Sequence, residues 1–131
     1  LAYDPVPLLP TRADADAGRA FLQTVAAMSG DVYMPAHGYL ASLAGKRSYA
    51  HEMAIGDVVG IGGGPPGAEL RDEIRAALKQ RRFAAVIVDT DFFKREIEES
   101  YRRKGNAIAS KDGLWPETGW HIRPRDLYVP K

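Results

Sequence analysis

The chain contains no cysteine, which excludes a disulfide framework, thiolate metal sites and a cysteine nucleophile. It has almost no net charge, +1 over 131 residues, so no global field points to nucleic acid or to an acidic substrate. Its apolar runs all fall short of the roughly 20 residues that cross a bilayer, and no signal peptide is recognisable. The first residue is Leu1 rather than methionine, which leads us to expect an excised or processed fragment. What is present is ordinary for a globular chain: 45% hydrophobic and 27% charged residues, enough for one domain with a real core.

The most informative stretch is Arg82-Phe83-Ala84-Ala85-Val86-Ile87-Val88-Asp89-Thr90-Asp91. An unbroken apolar run ending in β-branched residues predicts a strand buried on both faces. Helical patterns flank it. Before it, Leu70, Ile74 and Leu78 recur at i, i+4 and i+8; after it, Phe93, Ile97 and Tyr101 do the same, up to a stop at Gly105. Prolines 5, 7 and 10 mark residues 1–10 as an extended connector. Thr11 with Asp14 opens a first helix carrying Phe21, Val25 and Met28, and Ser29-Gly30 stops it. Asp31–Pro35 reads as a short strand, Tyr39–Ala44 as a helical turn closed by Gly45, and Lys46–His51 as a second short strand. Residues 53–59 carry no readable type. Asn106–Ala109 reads as a strand, and Trp120–Ile122 with Leu127–Val129 as a terminal hairpin. Together these predict an α/β fold: a three-layer, Rossmann-like domain over residues 11–131, with a mostly parallel sheet and an antiparallel C-terminal hairpin.

Candidate chemistry collects beyond the strand ends, where α/β folds place ligands. Asp89-Thr90-Asp91 spells a D-x-D pattern, whose hard oxygens suit Mg or Mn, so Asp89 and Asp91 are candidate ligands for a divalent metal. Asp91 also suits the cap of the following helix, the plainer reading. His37, His51, Asp57 and Asp89 form a second candidate set for a metal or a phosphate-bearing ligand; hydrogen-bonded structural histidines are the plainer reading. No H-E-x-x-H motif is completed, because Ile55 stands where the second histidine is due. Ser42, Ser48 and Thr90 lack a nucleophile-elbow context. Gly62, Gly64 and Gly67 formally meet G-x-G-x-x-G, but Pro65 and Pro66 remove the backbone donors a pyrophosphate needs. That segment reads as a flexible surface connection. Tyr39, Tyr49, Trp115 and Trp120 are candidate sugar-stacking platforms, with core or hairpin packing as the alternative.

A resemblance spans nearly the whole chain. It is carried by Tyr3-Asp4-Pro5, Pro10-Thr11, Asp16 and Gly18. Further on come Val32-Tyr33-Met34-Pro35-Ala36-His37-Gly38-Tyr39-Leu40, Ala44-Gly45-Lys46, Ala50-His51, Ala54 and Asp57, then Arg82 through Asp89. In these residues the chain resembles the soluble C-terminal region of bacterial multi-pass glycosyltransferases similar to the dolichyl-phosphate-mannose–protein mannosyltransferases. The resemblance implies a non-catalytic accessory domain on the extracytoplasmic face of the inner membrane. Its partners would be the membrane half of the same polypeptide and a lipid-linked sugar or acceptor, with no nucleic acid. Family catalytic carboxylates lie in membrane loops, so no catalytic residue carries over, and no cofactor beyond the candidate divalent metal is implied. The alternative is a small ligand- or metal-binding α/β protein or enzyme using the His/Asp crevice.

Overall fold

The fold is that of a computed structural model, which describes residues 4–131. Leu1–Tyr3, part of the expected connector and of the resemblance, lies outside the described residues. A single turn of 3-10 helix, Val6–Leu8, interrupts the rest of that connector. Helix α1 (Arg12–Ala26) begins as its sequence demands. Thr11 accepts from the Asp14 amide, Asp14 accepts from the Thr11 amide, and both bonds of a capping box are made. Its buried face is Phe21 and Val25.

Strand β1 (Val32–Tyr33) is followed by α2 (Gly38–Leu43), α3 (Glu52–Gly56) and a wide π-helical turn, Asp57–Gly62. The π turn and the next helix, α4 (Gly64–Lys79), are fitted together at Gly67, where a side chain would meet the Val58 carbonyl oxygen at 2.6 Å. The glycine-rich segment is therefore largely helical. Pro65 and Pro66 occupy the first turn of α4, where their missing N–H groups cost nothing. The second strand expected at Lys46–His51 does not form. That segment is an irregular strap held by Tyr49, whose hydroxyl donates to Asp31 at 2.6 Å and whose ring meets Tyr33 and Phe83 edge-on.

Strand β2 (Ala85–Val88) is buried at every position, as the apolar run predicts. Helix α5 (Lys94–Ser100) is shorter than its i, i+4 stripe suggests. Tyr101 turns extended and starts β3 (Tyr101–Asn106), which pairs antiparallel with β4 (Asp126–Pro130). The stripe misleads because Ile97 and Tyr101 enter the same core cluster whether or not the helix continues between them. The expected strand at Asn106–Ala109 and the expected 120–122 arm of the hairpin are corrected likewise. Residues 107–125 form an irregular connection, and β4 finds its partners in β2 and β3 instead.

The sheet order is β1-β2-β4-β3. Only β1–β2 is parallel; β2–β4 and β4–β3 are antiparallel. The expectation of a mostly parallel sheet is corrected on that count: β4 returns into the sheet beside β2 instead of closing a separate hairpin. The architecture is mixed α/β. Alternation along β2 separates two cores. Ala85 and Ile87 join Phe21 and Val25 of α1, whereas Val86 and Val88 join Leu78 of α4 and Ile97 of α5. No helix among the described residues is long and apolar enough to cross a membrane.

Candidate functional site

Because β1 and β2 run parallel, the residues that follow them emerge side by side. The segment after β1 carries His37, and the residue after β2 is Asp89. The His37 Nε2 lies 3.2 Å from Asp89 Oδ2, with side chains only 10% and 4% exposed. A carboxylate here accepts from Nε2–H and fixes the ring, leaving Nδ1 as the nitrogen able to accept from a ligand. No described group occupies that Nδ1. The second carboxylate oxygen, Asp89 Oδ1, is buried without a hydrogen-bond partner among the described residues. An unpaired buried acceptor is costly. The Tyr33 hydroxyl and the Arg123 Nε are likewise buried without a partner among the described residues.

His37 forms part of the wall of a cleft of about 420 Å³. Leu8, Phe21 and Tyr39 line it from one side, and Leu114, Trp115 and Arg123 from the other. The second wall belongs to the irregular 107–125 connection and is held in two ways. The Leu114 amide donates to Asp14 Oδ1 at 2.9 Å, tying the loop to the first turn of α1. The Thr11 hydroxyl, then the Leu114 and Thr11 amides, hold the Asp14 carboxyl below the usual carboxylate range. Within the wall, Trp115 is sandwiched. His121 stacks on it at 4.2 Å, and the Arg123 guanidinium sits 4.3 Å from its ring centre while donating to the Gly113 carbonyl.

The other expected site residues are dispersed. His51 caps α3, its Nδ1 accepting from the Met53 amide at 3.2 Å, and its Nε2 lies 3.1 Å from the Ala36 carbonyl oxygen. It therefore braces the segment that carries His37 and has no described contact with Asp89. Asp57 is exposed at the start of the π turn, beside a separate hollow with Val58 and Ile61. Asp91 stands in solvent and pairs with Lys94 at 3.1 Å, so the two carboxylates of the D-x-D pattern point apart. Asp91 does not cap α5 either: that helix starts after Phe93 with no side-chain cap. Among the described residues, no three His, Asp or Glu side chains gather as a metal centre would require.

One polar residue at this end escaped the sequence reading. Glu52 is buried and accepts from the Thr90 hydroxyl at 3.0 Å; Thr90 in turn accepts from the Phe92 amide. Burial, with the Glu52 carboxylate nearby, pushes the Tyr33 hydroxyl well up. The pattern His51-Glu52 was visible, but nothing in the spacing foretold that Glu52 would turn inward. Arg123 was equally silent, since residues 107–125 have no periodicity to orient them.

Chemically, the cleft offers the exposed ring of Tyr39 and an oriented imidazole, while the faces of Trp115 are covered by His121 and Arg123. This suits a small polar ligand with a flat apolar face. Comparison of the chain with protein-family models, with curated proteins and with solved structures finds no match.

Proposed function

We propose that this chain is a non-catalytic, extracytoplasmic accessory domain of a polyprenyl-phosphate-sugar-dependent membrane glycosyltransferase, and that its cleft holds a saccharide. The observation that carries the reading is the pairing of His37 with Asp89 in a cleft that also presents the exposed ring of Tyr39. Aromatic faces take the apolar side of a sugar ring, and an oriented imidazole takes a hydroxyl. A volume of about 420 Å³ falls in the range of small-ligand pockets, roughly 300–1,000 Å³. The resemblance in residues 32–40 and 82–89 supplies the parent enzyme and the location. The membrane half of the same polypeptide would then carry the chemistry. The same kinship would make the layers on the two faces of the sheet a Rossmann-like arrangement.

The test is a chemical-shift titration of the chain with methyl mannoside, methyl glucoside and a short-chain polyprenyl-phosphate sugar. Shifts centred on His37 and Tyr39, and lost on Tyr39→Ala, are the expected outcome. No shift with any of them sinks the reading.

A second reading is favoured by the orphaned Asp89 oxygen: a free-standing ligand-binding protein or enzyme that uses the His/Asp pair with a divalent metal or phosphate. A thermal shift with Mg, Mn, Zn or inorganic phosphate, abolished by Asp89→Ala, would support it over the saccharide.

A further inference from the structure

A second hollow opens on the α4 side of the sheet, where α3, α4 and the 46–50 strap meet Tyr33 of β1. Its wall is made of the rings of Tyr33, Tyr49 and Phe83 and the aliphatic side chains of Ile55, Leu70 and Ile74. It shares no lining residue with the cleft beside His37. Tyr33 and Phe83 stack, and Tyr49 stands edge-on to both, so the three rings form a corner. The two hydroxyls in this wall differ. That of Tyr49 donates to Asp31. Tyr33 is 3% exposed, and its hydroxyl has no hydrogen-bond partner among the described residues. A buried hydroxyl can both donate and accept, and leaving it unpaired is destabilising.

We infer that this hollow binds a small uncharged aromatic molecule whose one polar group, a hydroxyl or a carbonyl, pairs with the Tyr33 hydroxyl. The size fits a single ring. The hollow has a volume of about 180 Å³, and a cavity of about 150 Å³ lined by aliphatic and aromatic side chains takes up benzene. Three rings in the wall reward a flat guest, because aromatic pairs gain more than their buried area alone. Water is a poor occupant: an ordered water needs about two to four polar partners, and this wall is mainly apolar. The surrounding charges select against ions of either sign. Burial, with the Glu52 carboxylate nearby, keeps the proton on Tyr33; the same carboxylate repels an anionic guest, as does Glu73 in the wall. Arg82 also lines the hollow, and the Arg47 guanidinium lies 5.3 Å from the Tyr49 ring centre, so a cation is opposed as well. This site goes beyond the saccharide reading and does not rest on it.

The test is a chemical-shift titration of the whole chain, read at the methyl groups of Ile55, Leu70 and Ile74, with four probes of one ring each: benzyl alcohol, toluene, benzoate and benzylammonium. Benzyl alcohol should shift these methyls saturably, and the two ions should bind at least about tenfold more weakly. Tyr33→Phe removes only the hydroxyl. It should weaken benzyl alcohol about tenfold, the loss of one hydrogen bond, and leave toluene unchanged. Ala77→Leu, which places a larger side chain in the wall of the hollow, should abolish binding of both. Circular dichroism confirms folding of each variant, and the Tyr33→Phe comparison decides the matter if Ala77→Leu fails to fold. The inference is overturned if benzyl alcohol shifts nothing, shifts the methyls without saturation, or acts at His37 and Tyr39 instead. It is equally overturned if either ion binds as tightly as the alcohol, or if Tyr33→Phe binds the alcohol as the native chain does.

Discussion

The two ends of the sheet are built on opposite principles. At the end where β1 and β2 begin, aromatic rings lock together: Tyr33 stacks on Phe83 at 4.9 Å, and Tyr49 meets Phe83 edge-on at 5.3 Å. Their neighbours' polar groups are committed. Tyr101 both accepts from the Phe83 amide and donates to its carbonyl, and Tyr49 donates to Asp31. Burial accordingly pushes the Tyr101 hydroxyl up. At the end where the strands finish, Asp89 keeps an oxygen and His37 a nitrogen without a partner among the described residues. The lesson is a division of labour. Apart from the Tyr33 hydroxyl, which is buried without a partner among the described residues, the first end commits these polar groups to holding the fold, and the other leaves some open for a ligand.

The largest effect should come from breaking the first end. Tyr101→Ala, at a position 1% exposed, should lose about 3–5 kcal/mol of unfolding free energy, the range for removing a buried aromatic ring. Tyr101→Phe should lose only about 1 kcal/mol for the hydroxyl. Urea unfolding measures both, and a Phe variant as stable as the native chain would contradict the hydrogen-bonding role. At the second end the sign of the contrast reverses. Asp89→Asn should weaken saccharide binding about tenfold, equivalent to about 1.4 kcal/mol. Its unfolding free energy should change by less than that, since the orphaned oxygen stabilises nothing. An Asp89→Asn chain that unfolds readily yet binds normally would erase the distinction between the ends.

A smaller effect tests the joint between them. Asp126, where β4 pairs with both neighbours, feels burial that raises its pKa, but hydrogen bonds and charge from Arg103 and Arg125 outweigh this and hold it below the usual carboxylate range. A carboxyl depressed in the folded state binds its proton more readily when unfolded. Its stabilisation is therefore complete above the unfolded value of about 3.9 and is lost as pH falls through the lower native value. Asp126→Asn should cost about 1 kcal/mol at neutral pH, with the gap from the native chain closing in acid urea titrations. The smallest effect is local. Asp14→Ala removes the reciprocal half of the capping box, at a cost of about 0.5 kcal/mol, and hydrogen exchange at the Leu114 amide should quicken while amides of β2 stay protected.

What could be read from the sequence follows from how local each signal is. The β2 run is legible because four successive buried positions leave no alternative to a strand packed on both sides. The start of α1 is legible because the capping box is complete within four residues. The His37–Asp89 meeting was half legible: each residue follows a strand, and only the parallel pairing, which no local pattern encodes, brings them together. Three elements were misread for one reason. Tyr101, the 120–122 arm and the Ser48–Ala50 strap each carry a plausible local pattern that a distant partner overrides: β4 for Tyr101, β2 and β3 for the hairpin, and Asp31 for Tyr49. The Leu114–Trp115 part of the second wall had no pattern to read. Its order comes from Asp14 and from the Trp115 stack, contacts between residues as much as 100 positions apart.

The insertion of β4 between β2 and β3 also governs how this chain is made. Val86 and its partner Tyr128 are about forty residues apart, so the pairing waits on closure of a long loop. On a ribosome, β2 and β3 would emerge first, each with an edge reserved for a strand not yet synthesised. Unpaired edges of this kind recruit other chains. Any version of the protein truncated before Asp126 should therefore accumulate as aggregate rather than as a smaller soluble domain, and slow translation through residues 107–125 should make that outcome more frequent.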